Sequence, residues 1–269
     1  VEEKQKIIRA AVVVLIVVLL GLCAYYYFFS GRLKNADGGI TPAQAEKIDA
    51  EKPREIDAAA AAPLAVPLDG SDEAVRALAG EISSDPVLAR WLRSRDLIRR
   101  CAAAVDAVAN GQSPRTQFDF FIPGGPFKTY IRGGETYLDP SSYARYNTAA
   151  DVFDSLGTAA CARAYAQCRD LLQQAYRELG YPAGDFHQTL YRAIIEILRT
   201  PVLEQPIAVK KDITTYLFKD EKLESLDDVQ KHLLRMGPEN LQLIQVKLRE
   251  IALALGFTEA QLPVPRPYR

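Results

Sequence analysis

LIRRCAAAVDAVANG, residues 97–111, repeats apolar side chains at Leu97, Ile98, Cys101, Val105 and Val108 before closing on Asn110-Gly111. That spacing gathers the five on one face of a 3.6-residue helix, and Asn-Gly supplies a stop. In a strand the same residues would scatter over both faces. The segment therefore reads as a core helix.

Working outward, the same periodicity predicts helices over residues 141–155, 159–179 (ending at Gly180), 185–199, 226–235 and 239–255 (ending at Gly256). In the last of these, Leu241, Ile244, Leu248, Ile251 and Leu255 form a seam that packs into the chain's own domain. Upstream, Ser71 followed by Asp72 and Glu73 reads as a helix N-cap, and Asp85-Pro86 as a second start.

The clearest β signal is Gly133-Gly134, flanked by residues 128–132 and 135–139, because paired glycines accept the positive φ of a tight hairpin turn. Residues 118–122 are a candidate third strand; residues 207–210 and 214–218 are weaker ones. The expected class is mainly α, an α+β domain with a small β-hairpin.

The chain has 269 residues, 48% hydrophobic and 25% charged, a length that suits one sizeable domain. A net charge of −1 and a pI near 6.2 provide no basic field, so nucleic acid is not an expected partner. The exception to ordinary composition is the apolar run over residues 10–29, broken only by Gly21 and by tyrosines at one end. About 20 helical residues match a hydrocarbon core of roughly 30 Å. A cleaved signal peptide would have a shorter apolar region ending in small residues, whereas Tyr25, Tyr26, Tyr27, Phe28 and Phe29 follow here.

The expected layout is a short flank (1–9), a single transmembrane helix (10–29), a linker (30–69), a helical globular domain (70–257) and a proline-rich tail (258–269). The linker contains Asp37-Gly38-Gly39, Pro53, Pro63 and Pro67, and reads as a tether, although its alanine, glutamate and lysine content also suits a helix. The short flank suits a signal anchor that leaves the N-terminus in the cytoplasm and the domain in the bacterial periplasm, at the inner membrane.

No local catalytic signature is present. The histidines, His187 and His232, stand in no ligand pair, and no Gly-x-Ser-x-Gly or Cys-x-x-Cys occurs. Neither a metal nor a cofactor is expected. Cys101, Cys161 and Cys168 lie on apolar stripes; Cys161 and Cys168 are too far apart along one helix to bond, but either can face Cys101 in a disulfide. Pro123-Gly124-Gly125-Pro126 lacks the Lys-Ser/Thr of a phosphate loop and reads as a rigid turn. Tyr143 and Tyr146, with Arg145 between them, have the composition of a binding surface.

The order of local motifs adds to this. Pro-Gly-Gly-Pro-Phe (123–127), Leu-Asp-Pro-x-x-Tyr-x-Arg-Tyr (138–146), Ala-Tyr-Arg-Glu-Leu-Gly-Tyr-Pro (175–182), Arg-Met-Gly-Pro-Glu-Asn (235–240) and Lys-Leu-Arg-Glu (247–250) succeed one another. Together they resemble a bacterial family known as domain of unknown function number 3014. The resemblance implies a Gram-negative, membrane-tethered envelope protein and carries over no activity, ligand or catalytic residue.

The expected function is thus a non-enzymatic interaction or scaffold module. Its partners would be the bilayer, through residues 10–29, and an envelope protein. The alternative is a periplasmic module that binds a glycan or peptide. The candidate binding positions are Gly124, Gly125, Tyr143, Arg145, Tyr146, Arg235, Glu239 and Asn240.

Overall fold

The structure is a computed structural model that describes residues 61–118, 122–213 and 215–264. The expected span at residues 10–29 and most of the candidate strand at 118–122 lie outside these. Among the described residues no helix is long and apolar enough to cross a membrane.

Nine α-helices and two hairpins make up the described body: α1 Asp72–Ile82, α2 Pro86–Trp91, α3 Leu97–Ala109, β1 Thr129–Arg132, β2 Glu135–Leu138, α4 Asn147–Asp154, α5 Thr158–Glu178, α6 Phe186–Leu198, β3 Val209–Lys211, β4 Tyr216–Phe218, α7 Glu221–Glu224, α8 Asp228–Leu234 and α9 Pro238–Ala254. The domain is mainly helical with two small antiparallel hairpins, in line with an α+β class.

Local chemistry explains most boundaries. Asp85 accepts from the backbone N–H of Val87 at 2.7 Å and Pro86 opens α2. α3 runs to Ala109, and Gly111 turns the chain at φ 71°. Ser71 departs from its expected capping role. Its backbone is already helical, and its buried hydroxyl donates backwards to the carbonyl of Leu68 at 2.9 Å, so no N–H of α1 is capped by it. The stretch 141–155 is not one α-helix. Pro140 and the Asp139 carboxylate, which accepts from Ser141 N at 2.8 Å, start a 3-10 turn over Pro140–Tyr146 that hands over to α4.

α3, α5, α6 and α9 pack together as the helical core, with α4 against α9 and α8 against α6. On α9 and its C-cap Leu255 the five seam residues are all buried. In β1–β2, Tyr130 pairs with Tyr137 across the Gly133-Gly134 turn, and their rings stack at 5.5 Å. The hairpins join where Leu138 N donates to Ile207 O at 2.9 Å, beside a bridge between Tyr137 and Ala208.

Consecutive residues of α8 tie the two layers. Leu233 enters a helical cluster with Val108, Val229 and Ile244, and Leu234 enters the β-side cluster with Leu138, Ile207 and Phe218. The remaining faces of α8 lie at the seam between layers, where the functional side chains collect.

The body also extends beyond both expected edges. Leu64 N donates to Gln167 O at 3.0 Å, Leu68 is buried, and Arg99 pairs with Asp69 at 2.7 Å and Glu178 at 2.6 Å. On the other side Leu262 is buried and Tyr191 donates to Gln261 O at 2.7 Å.

Candidate functional site: a basic pocket beside an apolar cavity

Three chain segments meet at the seam. The 3-10 turn Pro114–Thr116 after α3 carries Arg115 with its backbone fixed by buried Pro114. The 3-10 turn before α4 carries Arg145 and Tyr146. It is clipped in place by Ser142, whose Oγ accepts from Lys128 N at 2.8 Å and donates to Lys128 O at 3.1 Å. From α8 and its C-cap come Lys231, His232 and Arg235. Together these six side chains line a cavity of about 440 Å³.

Among the described residues that line it the charge is unbalanced, with Arg115, Arg145, Lys231 and Arg235 against Glu224 and Asp228. Those carboxylates are committed to Lys231, at 3.4 and 3.5 Å, and Glu224 also accepts from Phe218 N at 2.7 Å. Among the described residues the three guanidinium groups have no carboxylate within ion-pair distance. Arg145 instead donates to Ser142 O at 3.0 Å and Gly125 O at 3.4 Å, and its guanidinium lies over Phe127 at 5.6 Å and Tyr146 at 5.5 Å. Arg235 donates to Lys231 O and Tyr216 O, each at 3.1 Å, and lies over Phe218 at 4.7 Å. Planar cations held by carbonyls and ring faces keep donors for an incoming carboxylate or phosphate.

Burial acts on the ionisable groups here. It lowers the Arg235 pKa, yet a guanidinium stays charged at any physiological pH. Burial first, then Arg115 and Arg235, push His232 down to about 4, so its imidazole is neutral. Its Nδ1 lies 2.7 Å from Ser113 Oγ. Burial raises the Tyr146 phenol, and the charges of Arg145, Arg235 and Arg115 pull it back.

Behind Tyr146 and His232 lies a second cavity of about 250 Å³, walled by hydrocarbon from Val108, Phe153, Ile197, Leu233, Met236 and Ile244. Both cavities share those two aromatic side chains.

Of the sequence candidates, Arg145, Tyr146 and Arg235 come together in the basic pocket, and Gly125 supplies a carbonyl to Arg145. Tyr143 packs against Gly237 and the β-side cluster. Asn240 is a buried clamp, its Nδ2 donating to Met236 O at 2.8 Å and to Tyr143 O and Asn147 Oδ1 at 3.1 Å. Gly124 and Glu239 are exposed outside the pocket lining. Sequence reasoning missed Arg115, Lys231 and His232; the last two lie 116 and 117 residues after Arg115, so no local pattern links them to it.

Among the described residues Cys101, Cys161 and Cys168 are free thiols. Cys101 lies close enough to Cys168 for a thiolate on it to raise the Cys168 pKa, whereas Cys161 lies near Lys247 of α9. Burial pushes Cys101 and Cys168 up to about 11. Among the described residues no three His, Cys, Asp or Glu side chains gather as a metal site requires. A carboxyl pair lies away from the pocket lining, where Glu196 on α6 stands beside Asp227 and burial followed by the Asp227 charge raises it to about 7.

Residues 97–252, more than half of the chain, match the family described as protein of unknown function, DUF3014, and the chain belongs to that family. No curated protein and no solved structure matches it. The matched range contains every residue of the basic pocket.

Proposed function

We propose that this chain is a membrane-anchored module of the bacterial envelope that works by binding rather than by catalysis, and that it holds an anionic group in the basic pocket. The observation that carries this is the convergence of Arg115, Arg145 and Arg235, none of which has a carboxylate within ion-pair distance among the described residues, on one cavity with Tyr146. A binding role is favoured over catalysis by His232, whose imidazole pairs with Ser113 but, at a pKa near 4, is a weak general base at neutral pH. The apolar run at residues 10–29 supports the anchor.

Calorimetric titration of inorganic phosphate into the full chain, held in zwitterionic nanodiscs, tests the pocket. Saturable one-site binding should weaken at least tenfold in Arg115→Ala and stay unchanged in Lys219→Ala. Equal binding by both variants contradicts the assignment. Location is tested by labelling an Asp212→Cys variant with an impermeant maleimide in outer-membrane-permeabilised cells. Labelling supports a periplasmic domain, and protection until the inner membrane is opened overturns it.

The scaffold reading has its own observation in Leu243, Val246 and Leu253, which form an exposed apolar stripe on the outer face of α9. In-cell crosslinking from Val246 to a specific envelope protein would support it, and capture of none would count against it.

A further inference from the structure

We propose that the two cavities are halves of one site and that its ligand is a single-chain anionic lipid, with a phosphate or carboxylate head among the arginines and its hydrocarbon chain in the apolar cavity. This rests on the anion reading above and adds the ligand class.

The shared wall carries the argument. Tyr146 and His232 border both cavities, and their rings meet edge-on at 5.7 Å and 60°. Each is an apolar ring with a polar tip, the side-chain type suited to a boundary between a wet half and a dry one. The Tyr146 hydroxyl makes no hydrogen bond among the described residues, which leaves it for a head group.

Helix α8 and the two turn residues after it repeat the division. At about 100° per residue, Lys231 and Arg235 fall on one side and Met236 and Leu233 on the other, with His232 between. The first two line only the basic pocket, the second two only the apolar cavity, and His232 both. One helical turn thus grades from charge to hydrocarbon in the order an amphiphile needs.

Size and polarity narrow the occupant. The apolar cavity of about 250 Å³ has a hydrocarbon lining that gives water few partners, and an unfilled space of this kind weakens a fold. It has room for roughly eight water-sized groups, which fits part of one acyl chain rather than two. An anchor in the bilayer would keep the site close to a source of such lipids.

Trp91, the chain's one tryptophan, lines the apolar cavity and reports on it directly. The test titrates the full chain, in nanodiscs of zwitterionic phosphatidylcholine, with bromine-labelled dodecyl phosphate, dodecanoate, uncharged dodecanol and inorganic phosphate. Saturable Trp91 quenching by the two charged chains is expected, at least tenfold tighter than inorganic phosphate or dodecanol. Ala149→Phe, which fills the cavity from α4, should reduce dodecyl phosphate to the affinity of inorganic phosphate while leaving the latter unchanged. Leu88→Phe, from α2, repeats the test should the first variant fail to fold. Lipid extraction from chain purified out of membranes should recover single-chain anionic lipid with the wild type and not with Ala149→Phe; recovery from neither, with tight binding of added dodecyl phosphate, points to a soluble amphiphile and overturns the lipid source. Phosphate binding that depends on Arg115, with no gain from the chain, overturns the amphiphile and leaves the anion reading standing. Dodecanol binding as tightly as dodecyl phosphate overturns the head-group assignment, and no binding of any probe overturns both.

Discussion

Ser113 Oγ lies 2.7 Å from His232 Nδ1, and this contact fixes the imidazole that divides the basic pocket from the apolar cavity. Ser113 comes from the loop after α3 and His232 from α8, so the wall of the site depends on two elements far apart in sequence.

His232 gives the site a pH signature. Its folded value of about 4 lies below the ordinary 6.5, through burial and the charges of Arg115 and Arg235, with Lys231 and Asp228 also in the pocket. A depressed folded value means that its contribution to stability is complete above pH 6.5 and is lost as pH falls through 4. A bound anion reverses part of this, because negative charge beside the ring favours the imidazolium. The imidazole NMR titration midpoint should therefore rise when phosphate is added. An unmoved midpoint would place the anion elsewhere.

Glu196 has the opposite sign. Burial and Asp227 raise it to about 7 from an ordinary 4.5, so its stabilising effect is present below pH 4.5 and lost as pH rises through 7. Glu196→Gln, which keeps the hydrogen bond without the charge, should make the protein more resistant to urea than wild type at pH 8 and alter little at pH 5. Equal effects at both values would contradict the raised Glu196 carboxyl.

Gly237 has φ 84° and no room for a Cβ, which would come within 2.4 Å of Tyr143 Cγ. Gly237→Ala should cost on the order of 3 kcal/mol in urea unfolding. Gly124→Ala meets nothing within 4 Å and should stay within about 0.5 kcal/mol of wild type.

Asn240 holds the Tyr143–Asn147 turn to the start of α9 through a buried amide facing three acceptors. Asn240→Asp points an acceptor at those acceptors and should cost more than Asn240→Ala, itself about 1–3 kcal/mol. Thermal melts of the two variants check the order.

Much of the fold was legible because its causes are local. Periodicity placed α3, α5, α6 and α9 within a residue or two, and Gly133-Gly134 placed β1–β2. Both weaker candidate strands formed as β3–β4, paired from Val209 with Phe218. The failures were also local, in that Ser71 found a competing partner in Leu68 O and a proline start turned the first half of 141–155 into a 3-10 helix. The string 235–240 gains its meaning only in three dimensions. Arg235 enters the basic pocket, Met236 the apolar cavity, Gly237 passes Tyr143, Pro238 starts α9 and Asn240 clamps the turn. Arg115 and His232 gave no sequence signal, since convergence across the seam leaves no local spacing to read.

The most direct test follows the side-chain Nε–Hε NMR signals of the arginines in the full chain as inorganic phosphate is added. The account predicts that Arg115, Arg145 and Arg235 shift together and saturate at one concentration, with Arg132 and Arg163 unmoved. Small, unsaturated shifts spread evenly over the surface arginines would contradict it.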